Sequence, residues 1–166
     1  MQYTEKELKQ VLTEELPRLR RFAMSLTGNQ ADGDDLVHNL VVKILQKGMS
    51  RDVNASAWLF RVCKNIWLDE IRAREVRRKA IQEKKIPGMD DIEEPQQEPL
   101  FSVQDIQLAM SKLVDEQRVV VGLIIVEGFS YEEAADILEV PKGTIMSRLS
   151  RARTKLITLL NDQIGE

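Results

Sequence analysis

The sequence predicts an all-α protein made of two small helical domains, residues 1–80 and 105–166, joined by a flexible acidic linker over 81–104, with a helix-turn-helix in the second domain. Three observations predict this. Apolar residues recur at steps of three and four along most of the chain, the spacing of one helix face. Gly and Pro number only 8 and 5 in 166 residues, so little interrupts those runs. The periodicity then collapses between Ile81 and Gln104, where Pro87, Gly88, Pro95 and Pro99 break any helix and Asp90, Asp91, Glu93, Glu94 and Glu98 make the stretch acidic.

Taken in order, Leu8, Leu12, Leu16, Leu19, Phe22 and Leu26 form one apolar stripe, in which Pro17 predicts a kink or a restart. Thr27-Gly28-Asn29 ends that helix. Asp32 is expected to cap the next one, with Asp34 and Asp35 in its first turn, where the helix dipole favours acids. Leu36, Val37, Leu40, Val41, Ile44 and Leu45 give its buried face, and Gly48 closes it. Met49 to Ser56 reads as a loop. A long helix follows from Ala57 to Lys79, apolar at Trp58, Leu59, Val62, Cys63, Ile66, Trp67 and Ile71 and basic at Arg61, Lys64, Arg72, Arg74, Arg77, Arg78 and Lys79. Beyond the linker, Ile106, Met110, Leu113 and Val114 predict a helix. Val119 to Val126 is rich in β-branched residues and would suit a strand. No second strand is available to pair with it, so it is expected to be helical. Ser130–Leu138 and Thr144–Leu160 complete the set.

Composition narrows the function. An apolar share of 43% with 31% charged residues is that of a soluble globular chain. No apolar run approaches the roughly 20 residues of a membrane span. The first residues carry Glu5, Glu7, Glu14 and Glu15 with no apolar signal core, so a cytoplasmic location is expected. Cys63 is alone and lies on an apolar helix face, the position of a buried small hydrophobe rather than a redox sensor. His38 has no second His or Cys to complete a metal or catalytic site. No cofactor and no enzymatic activity are expected. The net charge of −3 averages over local basic segments, and those segments decide nucleic-acid binding.

The most specific stretch runs from Phe129 to Leu156. Ser130 and Glu133 form a capping box that starts a short helix, and Ala134, Ala135 and Leu138 give it a small apolar face that a second helix can cross closely. Glu139 to Gly143 is a tight break. The second helix turns Ile145, Leu149, Ala152 and Leu156 inward and Lys142, Thr144, Ser147, Arg148, Arg151, Arg153 and Lys155 outward, with no acid among them. That is a helix-turn-helix with a basic recognition helix suited to the major groove. Arg can read guanine edges, while Lys, Ser and Thr can hold phosphates. A merely solvated basic hairpin is disfavoured because capping, break and one-sided charge all agree. The basic side of the 57–79 helix and the acidic stretch Ala31 to His38 are less specific alone. Charged faces are usually solvated, and Asp32, Asp34 and Asp35 lack a third ligand for a metal.

In this order the segments resemble the extracytoplasmic-function (ECF) group of bacterial RNA polymerase sigma factors, from about Leu16 to about Leu160. The stretches that carry the resemblance are LTGNQADGDDLVHN, AWLFRVCKNIWLDEIRAR and GFSYEEAADILEVPKGTIMSRLSRAR. The resemblance implies a chain that binds core RNA polymerase, at its clamp helices and flap, and directs it to promoter DNA. Asp32, Asp34, Asp35 and Leu36 match the clamp-binding stretch. Trp58, Arg61 and Asn65 match a Trp-Leu-x-Arg-x-x-x-Asn pattern that reads the −10 element. The loop Met49 to Ser56, with Asn54 and Ser56, matches the one that captures a flipped −10 base, and Arg72 extends the same basic side. Lys142, Thr144, Ser147, Arg148 and Arg151 fall where −35 contacts are made. The family also implies an anti-sigma factor as a further partner, and a chain that is monomeric when free. Promoter binding by the free chain is expected to be weak, because unstacking a base costs a few kcal/mol that polymerase contacts must help offset. The sequence departs from the family at Asn39 (an acid elsewhere), Gly33 (alanine elsewhere), Glu139 (glycine elsewhere) and in the 49–56 loop. Two other readings compete: a dimeric helix-turn-helix repressor or activator on a two-fold operator, and an interaction module for which Arg148 and Arg151 are dispensable.

Overall fold

The computed structural model describes residues 1–81 and 102–164. Within them lie seven helices: α1 Glu5–Thr27, α2 Gln30–Lys47, α3 Ala55–Ala80, α4 Val103–Ser111, α5 Asp115–Val121, α6 Tyr131–Leu138 and α7 Lys142–Ile164. A π-helical turn, Gly122–Val126, continues α5, so the β-branched run is helical as expected. Most of the 81–104 linker lies outside the described residues. Its last residues do not: Ser102 caps α4 and exchanges hydrogen bonds with Asp105 in a capping box. None of the described helices is long and apolar enough to cross a membrane.

The helix ends follow from local chemistry. Thr4 and Glu7 form a capping box at the start of α1, and Gly28 ends the helix in a left-handed conformation at φ 86°. Helix α1 runs through Pro17 without restarting. Leu8 and Leu12 before the proline, and Leu19, Phe22, Ala23 and Leu26 after it, are all buried in the same core, which holds both halves in line. Asp32 is not the cap of α2. Asn29 is, accepting from the Asp32 backbone N–H at 2.8 Å while its amide donates to the Asp32 carboxylate at 2.8 Å. Helix α3 begins two residues earlier than expected, at Ala55, because Asn54 caps it through the Ala57 N–H.

Helices α1–α3 enclose a core that includes Leu19, Phe22, Leu36, Leu40, Leu59 and Cys63. Helices α1 and α2 approach closely at Gly33, where a Cβ would lie 3.1 Å from the Met24 nitrogen. A side chain at 33, such as the alanine that the resemblance implies, would require the α1 backbone to give by a few tenths of an ångström. Asn39 donates to the Glu70 carboxylate at 3.1 Å and ties α2 to α3; an acid at 39 would face Glu70 as a like charge. The loop between α2 and α3 is held by the first residues of the chain: Gln2 and Ser50 form an isolated antiparallel bridge, and Arg51 bonds Glu7.

Glu7 is held down to about 2 by the Thr4 backbone N–H, the Arg51 guanidinium and the Thr4 hydroxyl. Because the folded value lies below the unfolded one, the stabilisation is complete above the ordinary carboxylate value of 4.5 and disappears as pH falls from there toward 2. The stability difference between the parent and Glu7→Gln, followed by chemical denaturation across pH 2 to 7, is expected to shrink over that window. Cys63 is fully buried, and burial, with a smaller contribution from Glu70, pushes its thiol up to about 12. Thiol reagents at pH 8 are therefore expected to leave Cys63 unmodified in the native chain and to react once it is unfolded, which a mass-shift time course reads directly.

The first three helices and the last four pack against each other. Phe129, just before α6, meets Phe60 edge-on at 4.9 Å between ring centroids, and Phe60 meets Phe22 at 5.1 Å. Arg18 lies over the Phe129 ring at 4.6 Å. The Glu127 carboxylate is fully buried between Arg18 and Arg21, each at 3.3 Å. Arg118 joins three elements, donating to the carbonyls of Met110, Ser111 and Leu113 and to Leu26 at the end of α1.

Candidate nucleic-acid and polymerase interface

The recognition helix is built from the turn upward. Ser130 and Glu133 cap α6 in both directions, and three residues, Glu139-Val140-Pro141, separate α6 from α7. Ile145, Leu149 and Ala152 are buried against α5 and α6. This fixes the opposite stripe: Thr144, Ser147, Arg148 and Arg151 follow i, i+3, i+4 and i+7, one helix face. Ser147 and Arg151 are exposed, and Thr144 and Arg148 are half-buried. Lys142 sits at the first position of α7 and pairs with Glu132 at 2.5 Å, which lowers the Glu132 carboxyl below its usual range. Arg148 lies 3.6 Å from the exposed Glu116. Such exposed pairs are worth little and give way to phosphate or base contacts at small cost.

Four of the residues expected to read the −10 element, Asn54, Ser56, Trp58 and Arg61, are gathered at the start of α3, but they do not form an open face. A cleft of about 520 Å³ includes Asn54, Ser56, Trp58 and Arg61 from one side and Phe129 and Asp136 from the other. Asn54 is occupied as the α3 cap. The Ser56 hydroxyl accepts from Arg18 at 3.4 Å and donates to Glu15 at 3.3 Å. Arg61 bonds the end of α6 rather than facing solvent. Asn65 and Arg72 are exposed further along the helix, with Arg72 3.8 Å from Asp69. Phe60 and Trp67 belong to the core and are no stacking platform, whereas Trp58 is half-buried at the cleft. Lys64 is shifted down chiefly by burial. Glu139 opposes the shift, and Arg61, Arg148 and Arg72 add to it, so the basic side of α3 and the recognition helix lie within electrostatic reach of each other.

The acidic stretch on α2 divides. Asp35 is exposed, Asp34 pairs with Arg20 at 3.2 Å, and Asp32 bonds Asn29. Leu36 is fully buried in the core, so in this conformation it positions the acids instead of meeting a partner, a correction to its expected place on the docking surface. Sequence reasoning missed Arg18, Glu127 and Phe129 as a joint between the two halves. Only the F-S-Y-E-E stretch around Phe129 carried a signal.

The comparisons agree with this geometry. Residues 12–64 match the family model "Sigma2 domain of PhyR", and residues 103–156 match "Sigma-70, region 4". The chain is 34% identical over 148 residues to the ECF RNA polymerase sigma factor EcfG of Rhodopseudomonas palustris, covering 87% of this chain and 80% of that one. It is 31% identical over 145 residues to the ECF sigma factor SigM of Mycobacterium tuberculosis, covering 86% and 71%. Among solved structures it is similar to the sigma factor RpoE of Bartonella quintana, crystallised with the anti-sigma factor NepR, at 35% identity and TM-score 0.76 over 94% of this chain and 98% of that one. The similarity thus runs over most of this chain and most of proteins of one kind, with a sigma2 match in the first half and a region 4 match in the second: the chain belongs to the ECF group of RNA polymerase sigma factors, which bind core polymerase and direct promoter-specific initiation without being enzymes.

Proposed function

We propose that the chain divides promoter recognition between its halves. Residues 1–80 engage the polymerase clamp through Asp32, Asp34 and Asp35 and read the −10 element through Asn54, Ser56, Trp58, Arg61, Asn65 and Arg72. Residues 105–166 read the −35 element through Lys142, Thr144, Ser147, Arg148 and Arg151 and pack on the polymerase flap. The observation that carries this reading is the stripe of α7: its inner side is buried, and its outer side from Lys142 to Lys155 holds no acid. A basic, acid-free helix face next to a tight turn is what a major-groove reader requires. The acids on α2 complement basic polymerase helices and speed the encounter, and the work of unstacking a −10 base is shared with the polymerase. The reading places the chain in the cytoplasm, where its polymerase and promoters are. The similarity to RpoE in complex with NepR supports an anti-sigma protein as a further partner.

The test is direct. The purified chain is mixed with core polymerase, and transcription starts are mapped across genomic DNA. New starts sharing −10 and −35 sequences are expected, and an unchanged start map overturns the proposal.

A further inference from the structure

Arg61 is committed to the C-terminal half of the chain with no promoter present. Its Nε donates to the Ile137 carbonyl at 2.9 Å, one Nη donates to the Asp136 carbonyl, and the other lies 3.3 Å from the Glu139 carboxylate. These carbonyls belong to the last turn of α6, where the dipole favours a cation and carbonyls are short of donors; Asp136 otherwise receives only a long bond from the Glu139 N–H, at 3.4 Å. Glu139 itself is unusual. With φ 56° it is the only non-glycine residue with positive φ among the described residues, at a helix C-terminus where glycine is the ordinary occupant. The strained backbone places a carboxylate on Arg61, which glycine could not supply. Around this contact the halves are joined by the buried Glu127 between Arg18 and Arg21. They also meet at Gly122, where a Cβ would lie 2.9 Å from the Ser25 hydroxyl and 3.0 Å from the Phe22 ring.

The geometry points to a latch: the end of α6, with Glu139 as its positioning residue, competes with promoter DNA for Arg61, and the free chain rests closed until another surface takes over the two halves. This deepens the proposed function and rests on the assignment of Arg61 to the −10 element. A charge held in a strained turn solely to engage the other half has no use within the helix-turn-helix itself. Its consequence is that the free chain binds an unpaired −10 strand less tightly than its residues would allow.

Two exposed positions, Gln46→Cys and Thr158→Cys, accept labels for an interdomain distance measurement while the buried Cys63 stays unmodified. The parent is expected to give one narrow, short distance. Glu139→Gly and Glu139→Gln are both expected to broaden it toward longer distances and to tighten binding of a single-stranded −10 oligonucleotide by roughly two- to fivefold, the range an exposed ion pair supports. The two variants separate charge from strain. Glu139→Gly also relieves the left-handed backbone, so it melts at a higher temperature than the parent while closing less well; a merely structural glutamate would not move the two readouts in opposite directions. Gly122→Val wedges the halves apart without changing charge and is expected to give the same gain in strand binding. A parent that is already open overturns the latch and leaves the −10 assignment intact. Variants that open but gain no affinity overturn the competition. Absence of strand binding in every form, alone or with core polymerase, overturns it through the assignment on which it rests.

Discussion

Arg148→Ala combined with Arg151→Ala is expected to abolish most −35-dependent initiation while leaving the fold intact. Each arginine that reads a base edge contributes about 1–3 kcal/mol of discrimination, so the pair corresponds to a loss of roughly 30-fold or more. Ile145, Leu149 and Ala152 hold α7 from its other side, and the ion pair sacrificed, Arg148 with Glu116 at 3.6 Å, has an exposed carboxylate. The thermal transition should therefore move little. Lys142→Ala serves as the contrast. A phosphate contact carries no sequence information, so its loss is expected to weaken binding equally on all sequences and to reduce the salt dependence by about one phosphate contact. Run-off transcription on promoters with intact and scrambled −35 elements separates the two. Equal initiation by the double variant and the parent would remove α7 from promoter reading and favour the interaction-module alternative.

Arg118→Met is expected to destabilise the fold by about 2–4 kcal/mol, a large effect for a single side chain. The methionine keeps the apolar stem but removes a guanidinium that donates to Met110 at 3.0 Å, Ser111 at 2.8 Å, Leu113 at 3.0 Å and Leu26 at 3.1 Å. Carbonyls at helix ends that lose their donor inside a packed joint each carry a desolvation penalty of about 1–3 kcal/mol, partly relieved where water can enter. Burial lowers the Arg118 pKa below the usual guanidinium range, against a smaller opposing effect of Asp115, and the side chain stays charged at neutral pH. The guanidinium also lies 5.5 Å from the Trp67 ring of α3, so its removal loosens the joint between the halves as well as the α4–α5 corner. A lowered urea midpoint with an unchanged slope is the expected signature. A midpoint equal to the parent's would show that these carbonyls are satisfied by solvent.

Much of this architecture was legible in the residues. Apolar periodicity placed the seven described helices within a few positions of their observed ends. The Ser130–Glu133 box and the Glu139–Gly143 break located the helix-turn-helix, and Cys63 was rightly placed in the core. The errors are local choices between equivalent residues. Asn29 and Asp32 can both cap a helix, and Pro17 can either end a helix or ride within one; in each case the packing of neighbouring apolar residues decides. Leu36 was given two places, the buried face of its helix by spacing and the docking stretch by resemblance, and the structure puts it in the core.

Helix type, helix face and the recognition stripe are set by spacing of three and four residues, and spacing is a property of the sequence alone. Which charges meet across the molecule is not. Arg18 and Glu127 are 109 residues apart in the chain, and nothing in either neighbourhood marks them as partners. Arg61 reads as a solvent-facing cation until the end of α6 is brought against it, and Phe60 reads as one of several aromatic residues until Phe129 closes over it. Helix-forming contacts are local and repeat along the chain, whereas the joint between the halves exists only after distant helices have packed, so which charges and rings meet across this sigma factor is decided by tertiary structure.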